Sequence, residues 1–192
     1  MHLACYTRSD FHHSPLVVFY ETTRACDLVC RHCRASAQSR RDPRELTSEQ
    51  AVQLIGQLAS FPKPPMLVFT GGDPLKRADV YDLVRRAVQL GLEAAMTPSA
   101  TPLVTPEALQ RLKGAGLHRL AVSLDGADPS THDALRGVPG SFDRTLAVMA
   151  EARRIGLPLQ VNTTITRNNV HQIDALAEML AGRGIVLWSV FF

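Results

Sequence analysis

The chain has 192 residues, 45% hydrophobic and 20% charged, a balance that excludes a disordered or low-complexity protein and suits one globular core. Its 21 basic and 18 acidic side chains leave a formal charge of +3, spread along the sequence, which is too little to mark a nucleic-acid surface. No apolar run is long enough to cross a bilayer, and the opening MHLACYTRSDFHHSP lacks the basic start and apolar stretch of a secretory leader, so the expected setting is a reducing cytoplasm with no membrane partner.

After a polar segment over residues 1–14, in which Cys5 is expected as a free surface thiol and His12 and His13 as solvated loop residues, the first β-rich run is LVVFYE at 16–21. It leads into CDLVCRHC, which places Cys26, Cys30 and Cys33 within eight positions. A helical window follows at 47–60, with Thr47 as cap and Leu54, Leu58 and Phe61 on one face. The strand MLVFT at 66–70 ends in Gly71, Gly72 and Asp73 and is followed by a helix at 76–90 carrying Leu83, Val84, Ala87 and Val88. The next units are a strand at 92–97 followed by Ser99, a helix at 105–115 capped by Thr105, and a strand at 117–124 leading to Asp125. Helix 141–155, strand 159–165, helix 170–182 capped by Asn168 and the strand IVLWSVFF at 185–192 complete the series, with Gly91, Gly116 and Gly156 just past helix ends.

Strands alternating with helices predict an α/β fold with parallel strands, either an open sheet or a partial (β/α)6 barrel of TIM-like type. In both, chemistry belongs at the C-terminal ends of the strands, where the cysteines, the Gly71–Asp73 turn, Thr97, Ser99, Ser123, Asp125 and Asn162 all fall.

The three clustered cysteines fit a soft metal centre better than the alternatives. A structural zinc site needs four ligands, and no second cysteine pair or close histidine pair follows. A disulfide between two of them leaves the third over and is disfavoured in a reducing compartment. Three thiolates on a four-iron cluster leave one iron open for a bound molecule.

At these residues the sequence resembles the radical S-adenosylmethionine (SAM) superfamily, whose signature is Cys-x3-Cys-x2-Cys. The resemblance implies a [4Fe-4S] cluster held by Cys26, Cys30 and Cys33, its open iron bound by SAM, and one electron cleaving SAM to a 5′-deoxyadenosyl radical that abstracts hydrogen from a substrate. It implies that His32, in a position usually aromatic, lies against the adenine, and that TGGDP at 70–74 supplies the glycine-rich SAM motif, with Asp73 replacing the usual glutamate. Valine at Gly71 and Gly72 is then expected to exclude SAM and leave the cluster intact. Ser123 and Asp125 in SLDG and Asn162 in VNTT resemble the strand-four and strand-five positions that meet the nucleoside or carboxylate of SAM. Arg136 in LRG can pair with a carboxylate or sit solvated at a helix end.

YETTRACDLVCRHCRA, TPSATPLVT, LRGVPGSFD and NTTITRNN resemble the subgroup that often carries a C-terminal SPASM extension and includes enzymes of haem and pyrroloquinoline quinone synthesis and peptide modification. The core domain is thus expected over 15–192, with a tetrapyrrole or peptide substrate and an electron donor such as flavodoxin or ferredoxin. The extension would begin beyond Phe192, so truncation is an expectation; the last strand should then leave Ile185, Leu187, Trp188, Val190 and Phe192 without a covering helix and make the chain marginal and prone to associate. The competing expectation is a non-catalytic iron–sulfur or zinc protein or an inactive fragment, which needs no nucleoside pocket.

Overall fold

Short runs of three to seven residues form six strands, the first five with buried residues, and the amphipathic windows between them fold back over the sheet. The computed structural model describes residues 6–192, so Cys5 lies outside the described residues. The elements are β1 (Val17–Thr23), α1 (Ser48–Ala59), β2 (Met66–Gly71), α2 (Val80–Gln89), β3 (Ala94–Met96), α3 (Pro106–Gly114), β4 (Arg119–Ser123), α4 (Pro129–Arg136), α5 (Ser141–Arg154), β5 (Leu159–Thr164), α6 (Ile173–Ala181) and β6 (Leu187–Phe191). All six strands are parallel and lie in chain order, β1-β2-β3-β4-β5-β6. The α/β fold with parallel strands is therefore as expected.

The alternation along β5 shows how the sheet is used. Leu159, Val161 and Thr163 are buried, whereas Gln160, Asn162 and Thr164 are only partly so and face the concave side. On the helix side Leu67, Phe69, Leu120 and Val161 are fully buried with Ile55, Val84, Leu112 and Leu176 in one core cluster. Burial of each large apolar side chain contributes about 1.5–3 kcal/mol, so this layer, not the concave face, holds the domain together. Phe19 of β1 and Phe191 of β6 line one cavity, so the sheet curls into a partial barrel whose first and last strands do not pair.

Local signals explain most boundaries. Thr47 Oγ1 accepts from the Gln50 N–H and the Gln50 side chain accepts from the Thr47 N–H, a full capping box at α1; Thr105 Oγ1 caps α3 by accepting from the Ala108 N–H alone. Gly91, Gly116 and Gly156 all have positive φ just past α2, α3 and α5. Asn168 does not cap α6. Its neighbour Asn169 accepts from the Thr166 N–H and donates to the carbonyls of Asp125 and Thr164, which pins the turn after β5 and delays the helix to Ile173. The polar helix α4 was not foreseen; Asp128 caps it through the Thr131 N–H and Gly137 ends it in the left-handed region.

The last strand is covered in part. It pairs with β5 over five positions, the Trp188 indole donates to Thr163 Oγ1 at 2.9 Å, and Ile185 and Trp188 pack against the core. Val186, Leu187, Phe191 and Phe192 remain exposed. Among the described residues no helix is long and apolar enough to cross a membrane.

Candidate cluster and cofactor site

The chain leaving β1 is tied down before it reaches the cysteines. Thr23 Oγ1 and the Arg24 N–H both donate to Glu45 at 2.9 Å, and Ala25 bridges Gln38, with the Cys26 N–H donating to the Gln38 carbonyl at 2.8 Å. These contacts close the neck of a loop on which Cys26 is buried and Cys30 and Cys33 are half-buried, all three as free thiols. Each sulfur has a polar neighbour. The Leu28 N–H donates to Cys26 Sγ at 3.4 Å, the Ala37 N–H to Cys33 Sγ at 3.3 Å, and Arg136 Nη1 to Cys30 Sγ at 3.8 Å; Ser99 Oγ stands 3.2 Å from Cys26 Sγ. Burial pushes the Cys30 thiol up from its ordinary value, and the Arg136 guanidinium draws it partway back.

The thiols open on a cavity of about 620 Å³ at the C-terminal ends of the strands. Its walls include Cys26, Cys30, His32 and Cys33 from the loop, Gly71 and Gly72 after β2, Thr97 and Ser99 after β3, Ser123 at the end of β4, and Asn162 and Thr164 on β5. Ser123 and Asn162 are register partners, which sets them side by side. The sequence-predicted residues His32, Gly71, Gly72, Ser123 and Asn162 thus meet at one site.

Asp73 and Asp125 are placed differently, for both are fully buried and neither lies on the cavity wall. Asp73 Oδ1 accepts from the Leu75 N–H and Oδ2 from the Thr101 hydroxyl, so the carboxyl braces the turn behind the glycines, and burial pushes its pKa up. The glycines themselves are packed against protein. Gly71 has φ +130, and a methyl added there would overlap the Thr23 carbonyl oxygen; one on Gly72 would overlap that of Ala25 and lie 2.7 Å from that of Arg24. The Gly72 and Asp73 N–H groups donate to Thr23 and Ala25 at 2.7 Å. The glycine pair therefore seats the turn after β2 against the chain that carries Cys26, so the expectation that valine there excludes only SAM does not follow from the packing.

Asp125 is the centre of a buried polar group. Its Oδ1 accepts from the Thr164 N–H at 2.9 Å, its Oδ2 lies 2.5 Å from Arg136 Nη2 and 3.5 Å from His32 Nε2, and its N–H donates to His132 Nδ1 at 3.1 Å. Arg136, one of whose two readings was a solvated helix end, is mostly buried. Asp125 Oδ2 is held by the Arg136 ion pair, and two buried atoms beside it, His32 Nδ1 and Arg136 Nε, have no hydrogen-bond partner among the described residues.

His132 is the residue that sequence reasoning missed most completely, because α4 was not recognised. Its ring is buried against Phe142, and burial pulls its pKa down to about 4. The folded protein therefore holds it neutral while the unfolded chain takes up a proton below about 6.5, so stability is full above that pH and falls as pH drops toward 4. The expected loss is about 3 kcal/mol, from 1.36 kcal/mol per pKa unit, with the half-buried His32 shifted in the same direction. Urea melts of the metal-free protein between those pH values check it; His132→Asn, which keeps an acceptor for the Asp125 N–H, should flatten the slope, and an unchanged slope would refute the assignment.

Comparison with known proteins gives this geometry its context. The chain is 41% identical over 177 residues to the AdoMet-dependent heme synthase of Nitratidesulfovibrio vulgaris, covering 91% of this chain and 47% of that protein. It is 32% identical to the PqqA peptide cyclase of Bradyrhizobium diazoefficiens, covering 86% of this chain and 43% of that one. It spans about half the length of the curated relatives it matches. Among solved structures, the fold is similar to that of Streptococcus suis SuiB bound to S-adenosylmethionine, with a TM-score of 0.80 at 21% identity over 93% of this chain and 40% of SuiB. The sequence profile of the Radical SAM superfamily matches residues 20–180, and with a core of parallel βα units that brings three loop thiols to one cavity, the chain belongs to that superfamily of enzymes.

Proposed function

We propose that the chain is the cluster- and SAM-binding core of a radical SAM enzyme that removes a hydrogen atom from a tetrapyrrole of a haem pathway, or from a peptide. The observation that carries the reading is the meeting of three free thiols with one cavity whose wall also carries His32, Gly72, Ser123, Arg136 and Asn162. The donor set fits an iron–sulfur cluster: the ligands are soft and three in number. A plain electron carrier has no use for a cavity of this size beside its cluster.

In this reading Cys26, Cys30 and Cys33 would hold a [4Fe-4S] cluster and leave one iron open to SAM. When bound and reduced by a donor such as flavodoxin or ferredoxin, the cluster supplies the single electron that cleaves SAM to a 5′-deoxyadenosyl radical. The protein's part is to bind, orient and keep dry. Ser123 and Asn162 would meet the nucleoside from adjacent strands, and the His32 ring would flank it. Asp73 would act from behind, by bracing the turn that carries Gly71 and Gly72. Phe19 and Phe191 give the open side of the cavity an apolar rim suited to a flat substrate. The tetrapyrrole is favoured because the heme synthase relative is the more similar of the two. A reducing cytoplasm would keep the thiols free for metal, and residues 15–192 would form the core domain after a segment over 1–14.

Anaerobic reconstitution with iron and sulfide, then reduction with dithionite in the presence of SAM, tests this directly. The expected result is 5′-deoxyadenosine formed in proportion to cluster content. A protein that assembles four-iron clusters yet neither binds nor cleaves SAM would return the non-catalytic reading to first place.

A further inference from the structure

Among the described residues, Arg136 is the one side chain that touches both the buried carboxylate and a candidate ligand sulfur. Its Nη2 lies 2.5 Å from Asp125 Oδ2 and its Nη1 lies 3.8 Å from Cys30 Sγ. The backbone supports the same junction, since the Arg31 N–H, next to Cys30, donates to the Leu135 carbonyl, next to Arg136, at 3.0 Å. Asp125 is in turn fixed by the Thr164 N–H and, through its main chain, by His132 and Asn169. The carboxylate is thus held at one place, from which it sets where the guanidinium points.

We propose that Asp125 is a positioning residue, not a contact of the bound cofactor, and that it aims Arg136 so that this guanidinium donates to the Cys30 sulfur and makes the cluster easier to reduce. The inference rests on Cys30 being a cluster ligand. When the cluster takes one electron, from the 2+ to the 1+ state, the added negative charge is shared by the ligand sulfurs. An N–H donor from a cation stabilises that charge, and hydrogen bonds to sulfur are among the groups that set such potentials. Among the three thiols, only Cys30 has a charged donor; Cys26 and Cys33 receive main-chain N–H groups, with Ser99 Oγ beside Cys26.

The test is a potentiometric titration of the reconstituted protein without SAM, with dithionite as reductant and the reduced cluster read by electron paramagnetic resonance. Arg136→Met should lower the ratio of reduced to oxidised cluster at a fixed potential by up to about tenfold, equal to about 59 mV for one electron. The double variant Asp125→Asn with Arg136→Met leaves no lone buried charge and covers the case in which the single variant does not fold. If Asp125 acts through Arg136, the double variant should match Arg136→Met, and the shift caused by Asp125→Asn should depend on whether Arg136 is present. Potentials unchanged in both Arg136 variants would overturn the proposal, and strictly additive shifts would overturn the positioning role of Asp125. Absence of any four-iron signal in the parent protein would instead remove the reading on which the inference rests.

Discussion

Cys26→Ala, Cys30→Ala and Cys33→Ala are each expected to leave the reconstituted protein without a four-iron cluster, while Cys5→Ala reconstitutes like the parent. No replacement thiolate is at hand: among the described residues the remaining thiols are only the other two of the set, and Ser99 and the Asp125 carboxylate are already engaged. Iron bound by soft sulfur does not accept a methyl in its place. Unfolding is the competing explanation for such a loss, and the structure separates the two. The apolar layer lies between the sheet and its helices, away from the cysteine loop, so metal-free variants should melt within about 1 kcal/mol of the metal-free parent. Iron and sulfide content, read beside a urea melt, is the measurement. A full four-iron complement in Cys30→Ala, or its loss in Cys5→Ala, would refute the ligand set.

How much of this was legible before folding depended on the range of the interaction that carries each feature. The cap at Thr47 and the glycines past α2, α3 and α5 are local signals, and each has the structure its sequence suggested; the cysteine spacing is equally local and puts three free thiols on one loop. α4 escaped because its only buried side chains are His132 and Leu135, so it has little apolar period; its caps, Asp128 and Gly137, were the available signal. Arg136 was visible in LRG, but its burial was not, since that follows from Asp125 on another element and from the return of the cysteine loop, both distant in sequence. Asp125 could be recognised as a polar residue after a strand. Its withdrawal behind the cavity wall is set by the Thr164 N–H on β5 and could not be. The same limit applies to the glycine pair, where a Gly-Gly turn looks alike whether its open face meets a ligand or another segment of the chain.

That difference gives the second large expected effect. Gly72→Ala should weaken both cluster assembly and the fold, and Gly71→Ala more so, in contrast to a glycine whose added methyl would enter only the cavity and block ligand alone. The atoms a methyl would strike are the main-chain oxygens of Thr23, Arg24 and Ala25, which are not flexible side-chain ends, so relief requires the strand end to move. That segment is held by the hydrogen bonds from Gly72 and Asp73 and leads straight into Cys26. Overpacking of this kind costs about 1–3 kcal/mol. At Gly71, with φ +130, a backbone conformation nearly closed to other residues adds about 1–3 kcal/mol more. Together these are a substantial share of the 5–15 kcal/mol that typically holds a domain. The displacement would pull Cys26 away from its partners, so iron content should fall along with SAM affinity. Equilibrium binding of SAM, iron analysis and a thermal melt on each variant decide the matter. A Gly72→Ala protein with the parent's melting temperature and full iron, but no SAM binding, would show that the glycines serve the ligand first and the β1–β2 junction second.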